Sequence, residues 1–518
     1  MKNLKLPAHK DPVASIILDT KRQDRQTLVF CSSKRAAESQ AEKLSKVEGR
    51  KTQTYHQLSQ QVLSVLAHPT KQCKRLALCL ETGVAFHHSG LTSKQRGLIE
   101  EAFRQGVIHT ICSTPTLAAG LDLPAYRVII RDLKRFGQRG MSPIAVLEYE
   151  QMAGRAGRPG QETHGQAIVL AKEQGEADRL EEQYLRGDVE EIYSKLAVEP
   201  VLRTYVLSLI ASELIKGKQK LFDFFDSTFY AHQFGDTTKL HFILEKMIAL
   251  LQEWEMLEST EEQKETGGFF SASSLLSKAL DTPLKATALG KRVSELYLDP
   301  QTAHQLLEGI DQAETTPQFL HLLCCTLEMR PLTRTPMQAQ EEVHAFLEEQ
   351  ELVIDEHQFY QVSQDDYFDT VRTTQLFLAW VNEVDEETIL ERFNVRPGEL
   401  HAKTQRAVWL LHGASELARL TKRHGLRTPL SKLQTRVKQG VKEELLPLLQ
   451  FKQVGRARAR TLFKNNLRTV QDIVQVPSQT LTDLVGVALA KKLKEQVDAP
   501  YEEGVEQGQQ TLDSFGKI

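Results

Sequence analysis

Arg155 and Arg158 stand three residues apart in a glycine-rich turn, Gln151 to Gly160, QMAGRAGRPG. Three-residue spacing can aim both guanidiniums at one target. Arginine keeps its charge at every physiological pH and forks two donors onto phosphate oxygens. Gly154 and Gly157 let the backbone approach another surface, and Pro159-Gly160 ends the element. This is the chemistry of an arginine-finger element for phosphoryl transfer, a part worth roughly 10³–10⁵ in rate. Gln151 is the third candidate catalytic residue. The plain alternative is a surface turn with two solvated arginines, and the segments upstream decide against it.

Those segments alternate between strand and helix. Thr27 to Ser33 (TLVFCSS) is a short apolar run that predicts a buried strand. Val84 to His88, His109 to Thr114, Arg127 to Arg131 and Gln166 to Ala171 predict further strands, and Ser93 to Gln105 predicts a helix. Such alternation argues for a parallel α/β sheet, whose ligands sit beyond the strand C-termini. Ser32 to Arg35, His88 to Leu91 and Ser113 to Ala125 all fall there.

Two of these pieces carry a resemblance. STPTLAAGLDLPA (Ser113 to Ala125) and QMAGRAGRPG resemble motifs V and VI of superfamily-2 helicases, and HHSGL resembles the segment between motifs IV and V. The wording is similar to archaeal Hjm-type DNA repair helicases, relatives of HelQ and of the polymerase-theta helicase domain, through about residue 497. The resemblance implies a multi-domain α/β plus α fold. Residues 1–185 would be a second RecA-like parallel α/β domain, 186–298 a winged helix, 299–430 a helical ratchet bundle and 431–498 a helix-hairpin-helix DNA-binding domain. Gln151, Arg155 and Arg158 would face ATP phosphates, with Gly120 and Asp122 near the ribose and phosphate. Thr114 and Thr116 would meet the DNA backbone, a contact that holds a strand without reading its sequence. Gly137 and Gly140 bracket a turn inside Asp132 to Leu147. In the family this is a strand-separating hairpin, and Phe136 or Met141 would hold bases apart.

No GxxxxGK followed by Ser or Thr occurs, and LVIDEHQ (Leu352 to Gln358) lacks the phosphate loop that an acidic magnesium motif needs. The expectation is therefore the C-terminal half of an ATP-dependent 3′-to-5′ DNA helicase for forked and recombination DNA. In it a separate N-terminal subunit shares ATP and Mg²⁺, and this chain alone binds neither and is inactive as an ATPase. A truncated gene gives the same sequence. The rival is a non-catalytic adaptor for single-stranded DNA, which has no use for an intact QMAGRAGR. Backbone contacts leave RNA open as a substrate.

Downstream, Leu400, Ala407, Leu411, Ala414 and Ala418 form one apolar helix face, with Trp409 opposite beside Arg406. Trp409 matches the family's ratchet tryptophan, which stacks on a base at roughly 1–3 kcal/mol. The family's arginine seven residues earlier is Ala402 here, with Lys403 or Arg406 as substitutes. From Ser431 to Asp498, 13 Lys and Arg stand against 6 Asp and Glu, whereas the whole chain carries −3. Any nucleic-acid surface is thus local. Gly455 and Gly486 allow turns whose amides meet phosphate, with Arg456, Arg458 and Arg460 adding charge. The acidic tail after Pro500 ends with Gln509, Leu512 and Phe515 at the spacing of sliding-clamp (PCNA) peptides, though Gly516 replaces the second aromatic.

With 26% charged and 41% hydrophobic residues the chain reads as globular, and no apolar run reaches 18 residues, so a cytoplasmic rather than membrane protein is expected. Six cysteines form no CxxC and predict neither a metal site nor a disulfide framework.

Overall fold

The computed structural model of the chain describes residues 6–7, 9–48, 51–118, 120, 123–137, 140–158, 163–259, 283–354 and 364–498. Five strands build a parallel sheet: β1 (Thr27–Phe30), β2 (Val84–His87), β3 (Thr110–Ser113), β4 (Arg127–Ile130) and β7 (Gln166–Val169), in the order β2-β3-β1-β4-β7. Each matches an expected strand within three residues. All residues of the first four are buried. Parallel strands covered by helices on both faces demand such continuous apolar runs. Helices Lys34–Glu48 and Ser93–Arg104 follow β1 and β2, the second started by a Thr92–Gln95 capping box.

Arg127 is 1% exposed, an unusual place for a cation. It is held by the Asp19 carboxylate at 2.7 Å, the Ile16 carbonyl, the Thr20 hydroxyl and the Gln166 side chain. It ties helix Pro12–Arg22 to the sheet. From β4 the chain enters an antiparallel hairpin, β5 (Lys134–Gly137) and β6 (Gly140–Pro143), with Phe136 opposite Met141.

The rest is mainly helical, so the molecule is a multi-domain α/β protein with many helices. Helices Glu199–Ala211 and Thr238–Glu253 precede a two-stranded ribbon, β8 (Leu257–Ser259) with β9 (Leu284–Ala286). One apolar core runs from Leu202 to Val437 without a break at the boundary expected near residue 298. The buried Arg203–Asp299 pair, bonded at 2.6 and 2.8 Å, spans that position. Helix Arg427–Gln439 crosses the boundary expected at residue 430 and packs along the long helix Pro397–Leu420. A separate small core starts at Val441. Trp254, expected in the core, packs against the large one and stacks on His304.

Asp122, Pro159-Gly160, the 260–282 stretch and the clamp-like Gln509, Leu512 and Phe515 lie outside the described residues. Among the described residues no helix is long and apolar enough to cross a membrane, and no cluster of three or more His, Cys, Asp or Glu is placed to hold a metal. The cysteines are free, five buried and Cys325 partly so. Burial pushes the Cys31, Cys79 and Cys324 thiols up to about 12, which keeps them inert.

Candidate nucleotide and nucleic-acid site

The loop after β3 begins with Thr114, whose hydroxyl lies 2.8 Å from that of Thr116. Thr114 is buried and Thr116 exposed, so only the second faces solvent directly. Gly120 has φ +83°, a conformation that favours glycine, and nothing lies within 4 Å of where its Cβ would be. An approaching ligand meets bare backbone there.

Helix Val146–Ala153 carries Gln151 on an exposed position. Its first amides, Val146 and Leu147, donate to the Glu190 carboxylate at 2.6 and 3.1 Å, which complements the helix dipole. Beyond its end the chain turns back. Ala125 N–H donates to the Arg155 carbonyl at 2.9 Å and Gly157 N–H to the Ala125 carbonyl at 2.7 Å. Gly157 has φ +96°, and a Cβ on Gly165 would stand 2.2 Å from its nitrogen, so two glycines cross here.

Arg155 donates through Nε at 3.2 Å, and also through Nη2, to the Ala118 carbonyl; Arg158 Nε donates to the Pro124 carbonyl at 3.4 Å. The structure therefore brings the two expected arginines onto the loop that holds Thr114, Thr116 and Gly120. Neither is deeply buried. The guanidiniums suit phosphate oxygens.

The hairpin is rooted at its base. Asp132 accepts from the Ser32 amide and hydroxyl at 3.0 and 3.1 Å, and Arg135 pairs with Glu148 at 3.0 Å. This joins the hairpin to the end of β1. The side chains of Phe136 and Met141 lie outside the described part of the molecule.

A cleft of about 1010 Å³ separates the sheet domain from the helices. Lys34 and Ser89 line one wall, from the ends of β1 and β2; Arg334, Arg372, Lys403 and Arg406 line the other. Arg392 adds a sixth cation, against three carboxylates, Glu342, Glu391 and Glu399. Sequence reasoning missed Lys34, Arg334 and Arg372 as members of one site. No local signal marks them, since they meet only when distant segments fold together. Arg372 and Arg392 are held by Glu342. Lys403 is buried, donates to the Pro331 carbonyl, and has its pKa lowered by that burial.

Several of the residues expected to contact DNA are held by protein groups. Trp409 does not project from an open polar face. It is half-buried against the large core, and its indole N–H donates to the Leu296 carbonyl at 3.0 Å. The long helix is central, with helices Ala288–Glu295 and Pro300–Gly309 on one side and Arg427–Gln439 on another, so two of its faces are covered. Arg406 beside it donates to the Arg330 carbonyl. In the last domain, Arg456 lies 4.9 Å over the Trp380 ring, and Arg460 forks onto Glu383 at 2.6 and 2.7 Å and onto Glu444 at 2.7 Å. These two arginines face the helical bundle. Arg458 is exposed, bonded to the Gln453 carbonyl. Gly455, at φ −101°, needs no glycine; Gly486, at +85°, does.

The family described as "Helicase conserved C-terminal domain" matches residues 9–160, and "Archaeal helicase, domain 4" matches residues 317–440. The chain is 34% identical to an ATP-dependent DNA helicase Hel308 of Methanococcus vannielii, covering 98% of this chain and 69% of that protein. It is 37% identical to the Hel308 of Methanocella arvoryzae, over 98% of this chain and 68% of the relative. For Pyrococcus horikoshii the figures are 33%, 91% and 64%. These matches overturn the two-chain expectation. Each relative is a single polypeptide that includes the whole matched stretch, so a separate N-terminal subunit has no support. The expectation that this chain alone binds no ATP and is inactive has no support either.

Proposed function

Since this chain belongs to the archaeal Hel308 family of superfamily-2, ATP-dependent DNA helicases, we propose that its cleft carries a single DNA strand while Arg155 and Arg158 act on ATP. The observation that supports this is the cleft's composition. Cations from the long helix and the segment before it face Lys34 and Ser89 at the C-terminal ends of two parallel strands. Ligands of open parallel sheets bind at those ends. The same edge holds the loop after β3, to which Arg155 is bonded at Ala118 and Arg158 at Pro124. A nucleotide phosphate that drew Arg155 or Arg158 away would loosen that loop, and Thr114 and Thr116 would shift against the strand.

In this reading Gln151 helps orient the phosphates, and Gly120 and Asp122 line the nucleotide. Mg²⁺ accompanies ATP in phosphoryl transfer. Among the described residues no cluster of three or more His, Cys, Asp or Glu is placed to hold that ion. Residues 1–185 act as the second RecA-like unit, 186–298 as a winged-helix bracket, 299–430 as the ratchet bundle and 431–498 as a helix-hairpin-helix module. The rooted β5–β6 hairpin splits forked DNA, with 3′-to-5′ travel as the resemblance implies. Trp409, half-buried with its indole N–H held by the Leu296 carbonyl, is the residue that stacks on a base. Arg458 is the arginine of the last module best placed for phosphate.

Binding of a fluorescent oligothymidylate across a salt series tests the cleft. Each phosphate contact removed by Lys34→Ala or Arg334→Ala should lower the slope of log affinity against log salt by about 0.7. Unchanged slopes in both variants overturn the cleft assignment. Equal binding of an RNA strand would remove the preference for DNA.

A further inference from the structure

We propose that Glu38 is a positioning residue that couples the sheet domain to the long helix and so sets the geometry of the strand-binding cleft. The proposal rests on the helicase reading above. Glu38 lies on helix Lys34–Glu48 with 3% of its side chain exposed. A buried carboxylate survives only with partners. It has four, from three places: His88 Nε2 at 3.1 Å; Gln72 Nε2 at 3.1 Å and Arg75 Nη1 at 2.6 Å, both from one helix, Lys71–Leu80; and Arg396 Nε at 3.2 Å. Burial alone would raise its pKa. The hydrogen bond from His88 and the charges of Arg396 and Arg75 outweigh burial and hold it at about 2, so it is ionised.

The His88 partner fixes a loop. His88 is fully buried, stacked 5.5 Å from Phe86, and its Nδ1 accepts the Gly90 N–H at 3.1 Å. With Nδ1 accepting, Nε2 carries the proton and donates to Glu38. Burial lowers the His88 pKa and keeps the ring neutral. Glu38 thereby sets the tautomer that shapes His88-Ser89-Gly90.

The Arg396 partner fixes the other domain. Arg396 is the N-cap of the long helix. Directly beside it, Gly398 N–H donates to the Gly90 carbonyl at 3.0 Å. A Cβ on Gly398 would stand 2.2 Å from the Leu91 carbonyl oxygen and 2.5 Å from that of Ser89. Backbone thus meets backbone across the joint. Glu399 closes it, accepting the Arg396 N–H at 2.9 Å and the Lys34 ammonium.

Lys34 and Ser89 on one side, and Gly398 and Glu399 on the other, line the cleft; Glu38 does not. It touches no strand. It holds the loop after β2 and the first turn of the long helix in one register, so a shift at the strand ends moves the helix.

The test is Glu38→Gln in the full chain, which keeps shape but removes charge and one acceptor. Spin labels at exposed Gln105 and Ser431 report the distance across the joint, and strand separation per ATP hydrolysed reports coupling. The label distances should broaden, and base pairs opened per ATP should fall about tenfold, the scale of a typical coupling between sites. DNA-stimulated hydrolysis itself should change less than about twofold on the same argument. Gly398→Ala should reproduce both effects from the opposite side. Glu38→Asp, which keeps the charge, should recover part of the coupling, a rescue that a role in stability alone would not give. Distances that stay narrow, or coupling unchanged in Glu38→Gln, overturn the proposal. Broadened distances in a chain whose wild type binds no DNA would instead overturn the helicase reading and leave the joint standing.

Discussion

Two segments of this chain look alike on paper, Gly154 to Arg158 (GRAGR) and Gly455 to Arg460 (GRARAR). Both follow a helix or turn, both space arginines for a common target, and both suggest phosphate. Folding treats them differently. Arg155 and Arg158 are bonded to carbonyls of the neighbouring loop, Ala118 and Pro124. Arg460 is bonded to the carboxylates of Glu383 and Glu444, and Arg456 lies over Trp380. A carbonyl holds a guanidinium without cancelling its charge. A carboxylate cancels it and adds strength. The first segment is organised to move with a loop, and the second to dock one domain on another.

The largest expected effect tests the first segment. Arg158→Ala should lower ATP-driven unwinding by about 10³, the scale of an arginine finger. Arg460→Ala should do the reverse, with turnover retained and the last domain loosened. If Arg460→Ala removes turnover and Arg158→Ala does not, the comparison is inverted.

Trp409 gives the next largest effect, and it shows where sequence reasoning stops. Trp409→Ala should cost roughly 3 kcal/mol of stability, near the low end for a buried aromatic because the ring is half-exposed. Trp409→Phe should cost less than about 1.5 kcal/mol and lose only the bond to Leu296. Chemical denaturation of both variants checks this. Unwinding lost in Trp409→Ala at temperatures where the variant stays folded, and kept in Trp409→Phe, would support the stacking role. Five strands were legible because each is an apolar run between turn residues, and a parallel sheet buries both faces. The face Leu400, Ala407, Leu411, Ala414 and Ala418 was legible by period, and all five residues are buried. On the opposite side Ala402 and Gln405 are exposed, as the period implies, while Trp409 is half-covered because neighbouring helices pack along two sides of the long helix. Glu38 and the Lys34–Arg334 cleft were illegible for a related reason. Their partners lie up to some hundreds of residues away, and no local pattern announces which carboxylate will be buried or which cations will share a wall.

The docking arginine can be measured directly. A double-mutant cycle of Arg460→Ala with Glu383→Gln should give a coupling of roughly 1–2 kcal/mol, less than a fully buried pair because both side chains keep some exposure. The same cycle between Arg155 and any carboxylate of the last domain should give none.

Acid should separate the segments in the smallest but cleanest way. Burial alone would raise the Glu383 pKa; the bonds from Arg460 and from the Lys442 amide outweigh it and hold the carboxyl below its ordinary value. A group depressed in the folded state stabilises fully above its unfolded pKa, about 4.3 for glutamate, and that contribution fades as pH falls through the folded value. The last domain should therefore loosen progressively below about pH 4, seen as earlier proteolysis between residues 439 and 456, and Glu383→Gln should flatten the response. The bonds from Arg155 to Ala118 and from Arg158 to Pro124 end on carbonyls, and a carbonyl does not titrate. The loop after β3 should keep its amide-exchange protection across the same range. Loss of protection there in step with the last domain would show that the two arginine segments answer to one shared contact, and the contrast between them would collapse.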